Sequence, residues 1–157
     1  MIDNQKAYIA GFLDGDGSVM LQFKPRKKVS YGFRVKTTIC FYQKTRCNKG
    51  LVWIKEKLGA GYLYQRPDDI TELRIEGHQQ VKSVLVKLSP YIVFKREQVK
   101  LILKAIEILQ KKPLINEFLE VCRISDKISN INYATVKKKY TFEFVKKELV
   151  KKGLIPP

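Results

Sequence analysis

Two aspartates near the N-terminus have a spacing that suits metal chemistry. Asp14 and Asp16 alternate with glycines in the stretch D-G-D-G, after a run of small and apolar residues at helical spacing. A carboxylate at the end of a helix lies beside the backbone carbonyls of the last turn, and these hard oxygens together suit Mg²⁺. The competing interpretation of Asp16 is a loop-capping side chain, the ordinary role of Asp in such a turn. The predicted helices and strands around Asp16 are therefore needed to choose between a metal ligand and a capping side chain.

The residues around this pair predict a helix that turns into a strand. Residues 6–15 (KAYIAGFLDG) are apolar nearly all round, which predicts a short buried helix. Over residues 18–26 the period changes to two, and apolar residues alternate with polar and basic ones. Residues 33–42 alternate in the same way. The two strands therefore predict an antiparallel hairpin with one core face and one basic, hydrogen-bonding face.

The rest of the chain predicts an α+β domain. Residues 48–58 have helical spacing and end at Gly59, and a second hairpin turns at residues 67–69. Further helices are expected over residues 79–88, 95–109, 113–128 and 142–152. The resulting order is αββαββα with a four-stranded antiparallel sheet, followed by C-terminal helices. We expect a single domain over residues 1–157, with a core over about 6–110 and a helical C-terminal extension over about 111–157.

The charge balance narrows the class of partner. The chain has 31 Lys and Arg against 15 Asp and Glu, a formal net charge of +16. Polyanions are therefore the expected partners, with DNA or RNA ahead of an anionic membrane. The three cysteines are odd in number and far apart, which predicts reduced thiols in an intracellular protein. The sequence shows no secretion signal and no apolar run of ~18 residues, so we expect no membrane partner.

The stretch YIAGFLDGDG, residues 8–17, resembles the LAGLIDADG signature of homing endonucleases. The predicted αββαββα order matches that family over roughly residues 6–110. The resemblance implies an endonuclease that makes double-strand breaks in a long, roughly pseudo-palindromic DNA site. It also implies Mg²⁺ as the cofactor, with Mn²⁺ expected to substitute. A single copy of the motif implies the homodimeric subclass, in which two chains build one active site.

The resemblance also assigns roles to individual residues. It implies that Asp16 ligates the metal through its carboxylate and Gly15 through its backbone oxygen. Gln43 matches a Gln that positions catalytic solvent, and Lys95 matches an active-site Lys near the scissile phosphate. The alternatives for the last two are a strand-end Gln and a surface Lys.

One position departs from the family pattern. The family carries a basic residue four places after the matched Gln, and this chain has Cys47 there. Arg46 and Lys49 flank the position, and the sequence does not decide which of them substitutes. Asp14 fits a structural role within the motif better than a ligand role.

Small residues on the first helix predict an interface between two chains. Gly11 and Gly15, four residues apart, leave a smooth face that an identical helix can approach closely. Tight packing inside one chain is the alternative. Two-fold symmetry would bring two Asp16 carboxylates together, which divalent ions or protons must neutralise. The expected dimer interface comprises Tyr8, Gly11, Phe12 and Gly15.

The polar face of the sheet is the expected DNA-reading surface. Two-stranded ribbons fit the major groove, where Arg and Gln contact G and A, and Glu accepts a hydrogen bond from cytosine. Cross-strand ion pairs are the alternative explanation for the mixed charges. The candidate base contacts are Gln22, Lys24, Arg26, Arg34, Lys36, Thr38, Tyr64, Arg66, Glu72 and Arg74. The candidate phosphate-backbone contacts are Lys27, Lys28, Lys137, Lys138 and Lys139.

The length of the second strand sets the scale of the DNA site. Residues 33–43 at ~3.3 Å each reach roughly 35 Å. At ~3.4 Å per base step, this is about 10 base pairs per protomer and about 20 for a dimer.

Two alternatives to the nuclease remain: an intron-RNA splicing factor (maturase) or DNA-binding protein on the same scaffold, and an unrelated basic RNA-binding protein. Asp16, Gln43 and Lys95 together favour the nuclease.

Overall fold

A computed structural model describes residues 1–132 and 138–156 of the chain. Its helices and strands are α1 (Asp3–Asp16), β1 (Gly17–Pro25), β2 (Phe33–Lys44), α2 (Lys49–Leu58), β3 (Tyr62–Gln65), β4 (Ile70–Glu76), α3 (His78–Leu88), α4 (Arg96–Gln110), α5 (Ile115–Ile131) and α6 (Phe142–Lys151). Single turns of 3₁₀ helix follow β2, at Thr45–Cys47, and α3, at Ser89–Tyr91. The predicted αββαββα order with C-terminal helices, and with it the α+β class, is confirmed.

Four strands of the described residues form one sheet in the order β1-β2-β4-β3. β2 and β4 pair antiparallel, with Thr38 opposite Glu76 at one end and Lys44 opposite Ile70 at the other. β3 also pairs antiparallel with β4. Because β2 and β4 are the two central strands, the polar side chains of β4 have neighbours on both sides.

The chain divides into two compact units. The first comprises Met1–Met20 and Thr37–Lys100, and the second comprises Leu21–Lys36 and Leu101–Pro157. β1 and β2 each contribute residues to both units. The expectation of a single domain over residues 1–157 therefore stays a prediction. No helix in the described part of the chain is long and apolar enough to cross a membrane.

Within the first unit, α1 buries only one of its faces. Ile9, Ala10, Leu13 and Asp14 are buried, whereas Tyr8 is 65% exposed. The expectation of a short buried helix therefore holds for one face of α1 only, because the described protomer supplies packing partners on that side. α1 thus leaves aromatic and glycine positions on an open face.

Within the second unit, a polar network ties α5 to β1 and to the start of α6. Ser125 Oγ donates a hydrogen bond to the Leu21 carbonyl at 2.8 Å. Lys138 Nζ donates to Ser125 Oγ at 2.7 Å and to Asp126 Oδ1 at 2.6 Å. Asp126 Oδ2 accepts from the backbone N–H of Phe142 at 2.8 Å, where α6 begins. The Lys138 ammonium is therefore an internal structural partner, not the free phosphate-backbone contact that the lysine cluster had suggested.

Candidate functional site

The carboxylate of Asp14 holds the segment that precedes α4. Asp14 is 8% exposed, and its Oδ2 accepts from the backbone N–H groups of Val93 at 2.7 Å and Phe94 at 3.1 Å. Its Oδ1 accepts from the backbone N–H of Lys95 at 3.0 Å. All three N–H groups precede α4, which begins at Arg96, and the carboxylate satisfies donors that belong to no helix or strand. Asp14 therefore fixes residues 93–95 against the end of α1.

This attachment brings the Lys95 side chain to the motif. Lys95 Nζ donates a hydrogen bond to the backbone carbonyl of Asp14. Partial burial lowers the pKa of the Lys95 ammonium below its usual range, although the nearby carboxylates of Asp14 and Asp16 oppose that shift. The end of α1 thus places a partly desolvated cation within the field of the Asp16 carboxylate.

Asp16 differs from Asp14 in its surroundings. It is the last residue of α1, so it lies at the end of the helix and not beyond it. Both Asp16 and Gly15 are exposed. At Gly17 the chain turns directly into β1, and a Cβ there would meet Leu13 Cδ1 at 2.5 Å. The last glycine of D-G-D-G is thus required by packing, whereas the Asp16 carboxylate and the Gly15 carbonyl are hard oxygens available at the surface.

Gln43 lines a groove between α1, β2 and α2 in the first unit. The groove has a volume of about 620 Å³, and it is bordered by Asn4, Gln5, Tyr8, Phe12, Gln43, Cys47, Gly50, Trp53 and Ile54. The rings of Tyr8 and Trp53 meet edge to face, 5.8 Å between centroids. Two candidate dimer residues, Tyr8 and Phe12, and one candidate catalytic residue therefore share one surface. Cys47 belongs to it, whereas the exposed Arg46 and Lys49 do not border it.

The two glycines of the small-residue face have open space around them. A Cβ built at Gly11 or at Gly15 meets no atom of the described protomer within 4 Å apart from chain neighbours and the adjacent backbone of α1. Tight packing inside one chain therefore does not account for these glycines. The space they leave is on the open face of α1.

An ion-pair cluster occupies the polar face of the sheet on β4. The Glu72 side chain is 6% exposed, and it accepts hydrogen bonds from Arg66 and Arg74. The Arg74 guanidinium lies over the Tyr64 ring, 4.2 Å from its centroid. Four candidate base contacts are thus brought together, and ion pairs within β4 and with the residue that follows β3 explain their mixed charges.

The remaining candidate DNA contacts differ in their exposure. Lys36, Arg66, Arg74 and Lys138 are half-buried, and Thr38 is 4% exposed beside the longer Glu76 on the neighbouring strand. Lys137 lies outside the described residues. The exposed candidates are Gln22, Lys24, Arg26, Lys27, Lys28, Arg34, Tyr64 and Lys139.

The sequence interpretation missed Trp53 as a surface residue. Trp53 is one of the apolar positions of α2, together with Leu51, Ile54 and Leu58, but only the other three form the buried face of that helix. Those three positions follow the i, i+3, i+7 spacing of one helix face, and Trp53 falls off it. That offset was a usable signal for a groove-lining aromatic residue.

Comparisons with known proteins agree with this site. The family model for the LAGLIDADG endonuclease matches residues 9–103, which include the D-G-D-G stretch, Gln43 and Lys95. The DNA endonuclease I-CreI of Chlamydomonas reinhardtii is 32% identical over 132 residues, covering 83% of this chain and 80% of that protein. The DNA endonuclease I-CvuI of Chlorella vulgaris is 31% identical over 122 residues, covering 78% of this chain and 76% of that protein.

Solved structures have the same fold along nearly the whole chain. I-CvuI, crystallised with its DNA target in the presence of calcium, superposes with a TM-score of 0.92 at 28% identity, covering 97% of this chain and 96% of that one. The archaeal intron-encoded homing endonuclease I-Vdi141I, complexed with DNA, has a TM-score of 0.87 at 20% identity and covers 98% and 99%. The second comparison supports the shared fold alone.

Proposed function

The chain belongs to the LAGLIDADG endonuclease family, and we propose that it acts inside the cell as a homodimeric, site-specific homing endonuclease. The observation that carries this proposal is the placement of Lys95 at the end of α1, in the field of the exposed Asp16 carboxylate. Mg²⁺ is the proposed metal, and Mn²⁺ is expected to support cleavage because it accepts the same hard oxygen ligands.

The residues at the end of α1 divide the work of phosphodiester hydrolysis. The Asp16 carboxylate and the Gly15 carbonyl would hold a divalent ion, which when bound neutralises charge and activates water for attack. Lys95 holds a positive charge for the scissile phosphate, and its lowered pKa also makes it a better proton donor than a free lysine. The Gln43 amide is expected to orient solvent. Asp14 takes no part in the chemistry and positions Lys95.

The open face of α1 and the adjoining groove support the homodimer. The exposed Tyr8 ring and the unfilled space at Gly11 and Gly15 leave room for an identical helix. A two-fold axis along this face would bring two Asp16 carboxylates together, which the bound metal would neutralise. One protomer supplies one such carboxylate, so the proposed active site is complete only in the dimer.

Replacing Asp16 by Asn tests the proposal. The change keeps the shape of the side chain but removes one negative charge per protomer, so metal binding should fail. Cleavage of a plasmid library with Mg²⁺ should fall below detection, while the specific complex persists in a gel shift and tightens because two negative charges near phosphate are gone. Asp3→Asn, the same charge change at the exposed start of α1, should cut like the wild type.

Three outcomes of this experiment would contradict the proposal. Mg²⁺-dependent cutting by Asp16→Asn would remove Asp16 from the active site. Sedimentation of the wild type as a monomer on DNA would remove the dimer. A wild type that cuts no DNA with Mg²⁺ or Mn²⁺, yet binds an intron RNA tightly, would instead identify a splicing factor on the same scaffold.

A further inference from the structure

The Glu72 carboxylate is buried between two arginines on the polar face of the sheet. Its Oε1 accepts from Arg66 Nη1 at 3.1 Å, and its Oε2 accepts from Arg74 Nε at 2.5 Å. With 5% of its surface exposed, Glu72 offers a DNA base almost no contact area. This geometry does not fit the expectation that Glu72 accepts a hydrogen bond from cytosine. Any effect of Glu72 on DNA recognition would act through the two arginines.

Three side chains contact the Arg74 guanidinium: Tyr64, Glu72 and Tyr62, which lies opposite Arg74 on β3. The Tyr64 ring lies under it at 4.2 Å, and the bond from Nε to Glu72 sets its rotation within that plane. Because Nε donates to Glu72, the two Nη groups are the donors left for Tyr62 and for a DNA base. A guanidinium fork of this kind matches the N7 and O6 acceptors of guanine in the major groove. The Arg74 side chain is 31% exposed, which leaves surface for a DNA contact.

Arg66 is held differently from Arg74. Its Nη1 donates to Glu72, and its Nη2 donates to Asp68 at 2.5 Å. Both terminal nitrogens thus bind carboxylates, which leaves Arg66 poorly placed for a two-point contact with a base. Arg66 instead holds Glu72 from the side opposite Arg74.

The cluster is neutral in a strongly basic chain. Its two guanidinium groups are matched by the carboxylates of Glu72 and Asp68, whereas the chain carries a formal charge of +16. A surface that only attracts phosphates gains nothing from a buried carboxylate. A surface that reads bases gains affinity from it, because a carboxylate that holds an arginine side chain before binding removes part of the entropy cost of ordering that side chain.

We propose that Glu72 is a positioning residue that aligns Arg74 to read one guanine in each half of the DNA site. This inference deepens the proposed function, on which it rests for the identity of the ligand as double-stranded DNA. Tyr64 supports the guanidinium from below, and Arg66 fixes the carboxylate. Specificity at one base pair per half-site therefore depends on a residue that touches no base.

The test measures preference at every base pair of the site. Glu72→Gln and Arg74→Lys are compared with wild type on a library in which each position is varied in turn. Both variants should lose roughly 5- to 150-fold preference, the discrimination of a bidentate pair, at the same G·C pair. The double variant should lose no more than Arg74→Lys alone. Glu76→Gln, the same charge change four residues along β4, should keep the wild-type preferences.

A merely structural role for Glu72 predicts a different pattern. Glu72→Gln would then lower the unfolding temperature and weaken all sites equally, and that result, like an unchanged preference profile, would overturn the proposal. Selection of bound DNA in the Asp16→Asn background provides the profile without cleavage. Specific binding without cutting by the wild type would thus reject the nuclease and keep this inference. Binding by the wild type without any base preference would reject the inference itself.

Discussion

Asp14 and Lys95 are joined twice across 81 residues of sequence. The Asp14 carboxylate accepts from the backbone N–H of Lys95 at 3.0 Å, and the Asp14 carbonyl accepts from the Lys95 ammonium. The two aspartates of D-G-D-G consequently have separate roles. Asp14 is buried and holds the lysine in place, whereas Asp16 is exposed and available to a ligand.

Asp14→Asn is expected to destabilise the fold. The variant would place an amide NH₂ against backbone N–H donors, and leaving such donors unsatisfied costs about 1–3 kcal/mol. The free energy of unfolding in urea measures the loss, and the cleavage rate should fall as Lys95 loses its support. Asp16→Asn is the matched control, with a change within about 0.5 kcal/mol because its carboxylate is exposed. An Asp14→Asn protein as stable as the wild type would contradict the positioning role.

The lowered pKa of Lys95 predicts a pH dependence of cleavage. The Lys95 pKa lies below 10.5, the ordinary value for lysine, because partial burial disfavours the charge more than Asp14 and Asp16 favour it. As the pH is raised, the ammonium should therefore lose its proton earlier than a free lysine does. The rate of cleavage should therefore decline on the alkaline side below pH 10.5. Lys95→Arg should move the decline to higher pH, since a guanidinium stays charged. An alkaline limb that is identical in both proteins would show that Lys95 does not cause it.

The same shift predicts how stability responds to pH. The folded state holds the Lys95 proton less tightly than the unfolded state, so the unfolded state binds more protons between the two pKa values. The Lys95 contribution to stability should therefore rise with pH from the folded-state pKa to about 10.5. Urea unfolding of wild type and Lys95→Met over this range measures the difference in unfolding free energy. At pH values well below the folded-state pKa, this difference should no longer change with pH, although it need not be zero.

Gly11→Leu should separate folding from assembly. A side chain at position 11 has free space within the protomer, so circular dichroism should show the wild-type helix content. The added bulk would block close approach of a second α1, and sedimentation should then show monomers that do not cut DNA. Ser83→Leu, at an exposed position of α3, controls for added surface hydrophobicity. A Gly11→Leu dimer that still cuts would exclude this face as the interface.

Adjacent lysines before α6 should behave differently on substitution. Lys138→Ala removes the hydrogen bonds that Lys138 donates to Ser125 Oγ and Asp126 Oδ1, so the main effect should be a loss of about 1–3 kcal/mol in unfolding free energy. Lys139 is exposed, and Lys139→Ala should instead lower the salt dependence of DNA binding by about one unit without changing stability. Equal effects of the two variants on the salt dependence would contradict the structural assignment of Lys138.

Periodicity predicted the individual elements well because it reflects local geometry. The first strand was expected over residues 18–26 and spans Gly17–Pro25, and α2 was expected over 48–58 and spans Lys49–Leu58. Gly59 ends that helix with φ +63°, a conformation open to glycine at little cost. Such features depend on a residue and its near neighbours, which a sequence displays directly.

The open face of α1 was harder to foresee. Residues 6–15 are apolar nearly all round, and apolarity alone cannot tell a protomer's core from an interface between protomers. Only the packing of α1 on one side, with Tyr8 left exposed on the other, separated the two cases. The space at Gly11 and Gly15 likewise became visible once their surroundings were known.

Residue types and local patterning were thus enough to establish the element order, the basic charge, the family motif and Asp16 as a candidate ligand. The folded arrangement alone revealed that Asp14 holds Lys95, that Glu72 is buried between two arginines, and that Lys138 is an internal partner. Hydrogen-bond partners and burial depend on which distant segments meet. Asp14 binds Val93, Phe94 and Lys95, which lie 79, 80 and 81 residues later in the chain. No local period in the sequence predicts contacts between segments so far apart.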